Sequence, residues 1–197
     1  MDIPLRLAHR LCRLMVWLGG IVVLAAAFLI GVEVLIRRFA DTTIGGIDEV
    51  SGYALAVSSS WTFAFALLHK AHVRIDTFYL LLPRGVRPFL DIAALAILGA
   101  FAALVTWHGA DVFVLSYGFS ARAMTPLATP LWIPQGLWVF GWGMFLIVIF
   151  LLLLKTVIAV LRGRFDEALR TAGPMTAADE LEEELGDIRR RGQAEGS

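Results

Sequence analysis

Four histidines (His9, His69, His72 and His108) and one cysteine, Cys12, are the side chains of this 197-residue chain best suited to hold a metal or a haem. A bis-histidine haem requires two imidazoles at similar depth on facing helices. His69 and His72 close one apolar run, whereas His108 lies about 20 residues into the next, so helix rise separates their depths by roughly 30 Å. His9 falls in a basic N-terminal segment on the same side as His69 and His72. No membrane-embedded pair is expected, and hence no haem. A single cysteine allows neither an internal disulfide nor a cysteine metal site, and Cys12 reads as a small apolar residue. No Ser/His/Asp or Cys/His set shares one depth, and there is no phosphate-binding glycine loop. The expectation is a chain with no catalytic residues, metal site or cofactor.

The carboxylates argue in the same direction. Glu33 precedes Arg37 by one helical turn, the favourable order for an i,i+4 pair, and reads as a snorkelling ion pair near the end of a span. Asp91, three residues after Pro88, is expected in a first helical turn, where the helix dipole favours an anion, and Asp111 lies near the far end of the same run. A transport pathway normally needs intramembrane ionisable residues, helices broken at the midplane, or inverted repeats. None is evident, so the chain is not expected to carry a charged solute by itself.

The elements that position these groups are four apolar runs, roughly Leu14 to Ile36, Val50 to Leu68, Phe89 to Leu115 and Leu131 to Leu161. At about 1.5 Å per residue, even the shortest covers most of a ~30 Å hydrocarbon core. With 58% apolar residues and a mean hydropathy of +0.75, little remains for a separate soluble core. The expected fold is all-α, a polytopic membrane protein with four transmembrane helices. Its parts are a basic segment 1–13, a membrane domain 14–161 and a tail 162–197 that is partly helical or disordered. Net charge is zero and gives no reason to expect nucleic acid.

Cytoplasmic loops carry an excess of Lys and Arg. An inside N-terminus places eleven of these residues inside, at 6, 10, 13, 70, 74, 84, 87, 155, 162, 164 and 170, against three outside, Arg37, Arg38 and Arg122. Both termini are therefore expected in the cytoplasm. The first run is too long for a signal peptide and reads as an uncleaved span. Ahead of it, Leu7, Leu11 and Leu14 with Arg6, Arg10 and Arg13 fit either a short helix lying in the headgroup layer or a plain basic flank. Beyond the last span, Thr176 with Asp179 resembles a capping box, and Leu181, Leu185 and Ile188 form a weak apolar stripe.

Trp107, Tyr117 and Trp132 suit an aromatic belt at the outer rim. Small residues at four-residue spacing (Ala27/Gly31, Ala54/Ser58, Ala96/Ala100 and Gly99/Ala103) suit close helix packing. The second span is the most distinctive: Asp48-Glu49 at its entry, then Tyr53, then Ser58-Ser59-Ser60, and His69 through Asp76 at its exit. The helix dipole and anionic headgroups account for the charges but not for the whole arrangement.

From Leu14 to about Leu161 the chain resembles the small membrane subunit of tripartite ATP-independent periplasmic (TRAP) transporters. The resemblance rests on Arg38, on Ile47-Asp48-Glu49 with Tyr53, on His72-Val73-Arg74-Ile75-Asp76, and on Thr129-Pro130-Leu131-Trp132-Ile133-Pro134. The family often has two adjacent glutamates where this chain has Asp48-Glu49. The resemblance implies a non-catalytic scaffold in the bacterial inner membrane that clamps a large permease subunit. It implies sodium-driven uptake of organic acids with a periplasmic substrate-binding protein, the sodium and substrate sites belonging to the partner. Arg38, Asp48, Glu49 and Arg122 would then either fix the outer loops or help dock the binding protein, and His72 and Asp76 could tie the inner end of the second helix to the loop after it. Membrane lipids are the remaining partner. The rival readings are an independent four-helix channel or carrier and a membrane anchor of another complex.

Overall fold

Long apolar stretches, whose one proline, Pro134, falls in a first helical turn, leave the backbone one way to satisfy its hydrogen bonds in a bilayer, which is to coil on itself. The computed structural model describes residues 2–43, 45–70, 83, 85–165 and 169. It contains helices α1 (Asp2–Ala40), α2 (Ile47–Leu68), α3 (Arg87–Gly118) and α4 (Trp132–Leu161), each long and apolar enough to cross a membrane. Among the described residues, the extended backbone pairing is one isolated bridge, between Arg122 and Pro130. His72, Asp76 and the Thr176–Asp179 cap with its leucine stripe lie outside the described residues.

The helices form an open row in the order α1, α2, α4, α3. α1 packs on α2, α2 on α4 and α4 on α3, with only a slight touch between α1 and α4. The most apolar stretch of each flanking helix is 17% buried, against 33% for α2 and 39% for α4, because only the inner pair has neighbours on two sides. In α4 the covered stripe is Gly141, Met144, Phe145, Val148, Ile149, Leu152, Thr156 and Ala159, a three-and-four spacing that keeps one face turned inward.

α1 is a single helix of 39 residues. No turn separates its basic first turns from the span, so the two are one continuous helix. The reason is packing: Ala8, Cys12 and Met15 are buried in one cluster with Leu67, so the first turns of α1 are fastened to α2. Asp91 also departs from expectation. α3 begins at Arg87, so Asp91 falls beyond the first turn, and it is 3% exposed.

The close approaches use glycine more than the expected pairs. A Cβ on Gly19 would sit 3.4 Å from Ser58 Cα, and one on Gly99 would sit 3.2 Å from Ile149. Ala54 and Ser58 are buried as expected, whereas Gly31 has nothing within reach, and Ala96, Ala100 and Ala103 are exposed.

Candidate functional site

Two regions gather the polar side chains: the seam along α2 and the end where α2 begins. In the seam, Ser58 Oγ donates to the Gly19 carbonyl of α1 at 3.0 Å, and Trp61 Nε1 donates to the Leu137 carbonyl of α4 at 2.9 Å. Ser60 lies under Gly141, where a Cβ would come within 2.4 Å of its Oγ. Ser59, facing outward, bonds back to the Leu55 carbonyl at 2.7 Å, and Thr62 to that of Ser58 at 2.8 Å. The Ser58-Ser59-Ser60 run therefore divides its work. Ser58 holds α1, Ser60 fits under α4, and Ser59 satisfies itself. Beside this seam Trp142 touches Phe63, Phe101, Trp138 and Phe145 edge-on or tilted, at centroid distances of 5.3 to 6.1 Å. The sequence reading missed that cluster, because aromatic residues on three helices show no common period.

At the start of α2, Glu49 gathers donors from two segments. Its Oε1 accepts from Tyr53 Oη, one turn further along α2, at 3.0 Å, and its Oε2 accepts from Thr125 Oγ1 in the α3–α4 loop. The Thr129 hydroxyl and amide also reach the carboxylate. Beside it, Gly46 takes φ +94°, and a Cβ there would collide with Leu127 at 2.4 Å, so glycine is required for both its backbone and its space. Gly45 packs closely on Pro126, where a Cβ would come within 3.2 Å.

The α3–α4 loop is a small staple of its own. Ala123 N donates to Thr129 O and Leu131 N to Ala121 O, each at 3.0 Å, and Arg122 Nη1 donates to Ala128 O at 3.3 Å. Pro130 closes the bridge opposite Arg122, Trp132 meets Tyr117 edge-on at 5.8 Å, and Pro134 sits half-buried in the first turn of α4. Thus Glu49 and Tyr53 meet the loop that carries Arg122, Pro130 and Trp132. Arg38 and Asp48 are exposed nearby in sequence, and the Asp48 carbonyl accepts from Ser51 Oγ at 2.9 Å. Thr125 and Leu127 were not anticipated. The adjacent Gly45-Gly46 was the available signal that something packs tightly there. A carboxylate whose oxygens are occupied by hydroxyl donors acts as a clamp and is poorly placed to take up a substrate proton.

The ion pair between Glu33 and Arg37 forms at 3.2 Å, with the carboxylate turned inward and the guanidinium outward. His108 and Asp111 face one another at 4.0 Å, both exposed. His9 and His69 meet edge-on at 5.5 Å, with His69 stacked on Phe65 at 3.9 Å. The sequence reading placed both on one side without pairing them. The pair follows from the antiparallel register that also sets Gly19 against Ser58. Among the described residues, no group of three or more His, Cys, Asp or Glu could hold a metal ion.

Residues 26–159 match the family described as tripartite ATP-independent periplasmic transporters, DctQ component. The chain belongs to that family. The match runs from the middle of α1 almost to the end of α4, so it includes the α2 seam and the Glu49 clamp. Neither a curated protein nor a solved structure matches the chain. As a DctQ component, the chain is a multi-pass membrane part of a tripartite transporter, and its four spans are those expected.

Proposed function

We propose that this DctQ component is the scaffold subunit of a sodium-driven, binding-protein-dependent importer of organic acids. In this reading it clamps the large permease in the bacterial inner membrane, with both termini in the cytoplasm. The observation that carries the proposal is the open row. Four helices in a row enclose no pathway, and the polar side chains of the α2 seam serve helix contacts. Such a row offers broad apolar faces to a membrane partner and to lipid. Catalysis, sodium and substrate then belong elsewhere in the complex.

The Glu49 clamp fits a loop-fixing role for Glu49, Tyr53 and Arg122. It would make a rigid outer surface beneath the periplasmic binding protein, with Arg38 and Asp48 left exposed on that side. The test is co-expression of the tagged chain with its large permease. A stable one-to-one complex is expected, with sodium-dependent organic-acid uptake in proteoliposomes that disappears when this chain is omitted. Undiminished uptake by the large subunit alone would remove the scaffold reading.

A further inference from the structure

We propose that the groove between α1 and α2 seats one transmembrane helix of the large permease, a helix with two large apolar side chains seven residues apart and a Lys or Arg about one turn beyond them. Two hollows, of about 380 and 490 Å³, adjoin along this helix pair. Ala27 and Gly52 line the first, Gly20 and Ser59 the second, and Val23 with Leu55 forms the ridge between them, since both residues line both hollows. Gly20, Val23 and Ala27 on α1, and Gly52, Leu55 and Ser59 on α2, repeat at three and four residues, each set placing small residues on either side of a large one. All six are exposed. Such spacing makes the seam of a helix bundle, here a second one beside the contact that α1 and α2 make with each other. The hollows lie seven residues apart, about 10 Å along the axis, which is the interval between successive knobs on one packed helix.

The chain by itself makes no use of the two glycines. A Cβ on Gly20 or Gly52 would meet nothing within 4 Å, although glycine is the poorest helix former after proline. Gly19, Gly99 and Gly141, by contrast, each lie close against a neighbouring helix. Two glycines with open space on one groove suit the close approach of a helix from outside, whose knobs need small residues beneath them. A disordered acyl chain covers any apolar surface and calls for neither glycine nor a ridge between two hollows. The hydroxyls on the groove ask nothing of the occupant: Ser59 Oγ donates to Leu55 O at 2.7 Å and Thr62 Oγ1 to Ser58 O at 2.8 Å. The occupant's face is therefore apolar. Asp48 lines the Gly52 hollow from one turn earlier in α2. Its side chain is exposed, and among the described residues the carboxylate has no ion-pair partner. A carboxylate there repels an anionic headgroup and favours a cation at that end of the partner helix.

The groove's occupant rests on the scaffold reading, and the experiment separates the two. The tagged full chain is co-expressed with its large permease, extracted in mild detergent, and the permease recovered with it is measured. Gly20→Leu and Gly52→Leu start side chains into the hollows from open positions. Each should leave the melting temperature of the chain alone unchanged and lower recovery of the permease roughly tenfold or more. Gly143→Leu, equally open but on α4 away from the groove, should keep the complex. With Leu55 replaced by p-benzoylphenylalanine, light should crosslink the chain to one permease helix that has large apolar residues seven apart and a Lys or Arg beyond them. Asp48→Lys should weaken the complex, and changing that Lys or Arg to Glu should restore it. The crosslink leaves both glycines in place, so it decides the matter if either leucine destabilises the chain. Failure of the wild type to carry the permease would remove the scaffold reading and this one together. A wild-type complex that G20L and G52L leave intact, a loss shared by G143L, indifference to Asp48→Lys, or adducts with lipid alone would overturn the groove assignment while the scaffold reading stands.

Discussion

Gly141→Ala is the most telling single change at the seam that joins the two halves of the row. The new methyl would lie 2.4 Å from Ser60 Oγ, 2.8 Å from Ser60 Cβ and 2.8 Å from Trp61 Cδ1. Ordinary contact begins near 3.4 Å. Relief therefore needs about an ångström of separation between α2 and α4, which would also stretch the 2.9 Å bond from Trp61 to Leu137. Overpacking of this kind costs about 1–3 kcal/mol. The better helix propensity of alanine returns somewhat under ~1 kcal/mol, leaving a net loss of about 1–2 kcal/mol. For a chain of this size that corresponds to a fall of roughly 3–6 °C in melting temperature, read by fluorescence-detected size exclusion in detergent. Ser60→Gly in the same background removes both of the Ser60 contacts and should recover at least half of the loss. Gly143→Ala and Gly20→Ala, where nothing lies within 4 Å, should be neutral or slightly stabilising in the isolated chain. A Gly141→Ala protein as stable as wild type, or one that Ser60→Gly does not help, would refute the account of the seam.

Other outcomes follow from the same contacts. Ser58→Ala removes the bond to the Gly19 carbonyl and should cost about 0.6 kcal/mol and no more than about 1.7, measured by unfolding in mixed micelles. Glu49→Ala strips Tyr53 and Thr125 of their acceptor, so limited proteolysis within 119–131, where Met124 is fully exposed, should speed up severalfold. An unchanged cleavage rate would show that the loop holds itself. In a Cys12→Ala background, Met124→Cys should be labelled by an impermeant maleimide from the periplasmic side, and Arg162→Cys only after the inner membrane is opened. The reverse pattern would invert the proposed topology.

The number of spans, their all-helical nature and the membership of the family were legible in the sequence, because a ~30 Å core imposes a length and forbids unpaired backbone whatever the neighbours do. The Glu33–Arg37 pair was equally legible, since i,i+4 spacing fixes it inside one helix. Glu49 and Tyr53 could be singled out, but the hydroxyl of Thr125, 76 positions along the chain, could not, because that contact exists only once α2 and α4 stand side by side. The same holds for the division of labour in Ser58-Ser59-Ser60 and for the His9–His69 contact. The order α1, α2, α4, α3 was likewise decided by tertiary structure alone. In lipid every apolar helix face is tolerable, so hydropathy cannot say which faces meet. Glycine clearance and a few interhelical hydrogen bonds make that choice, and they act only between residues that the fold has already brought together.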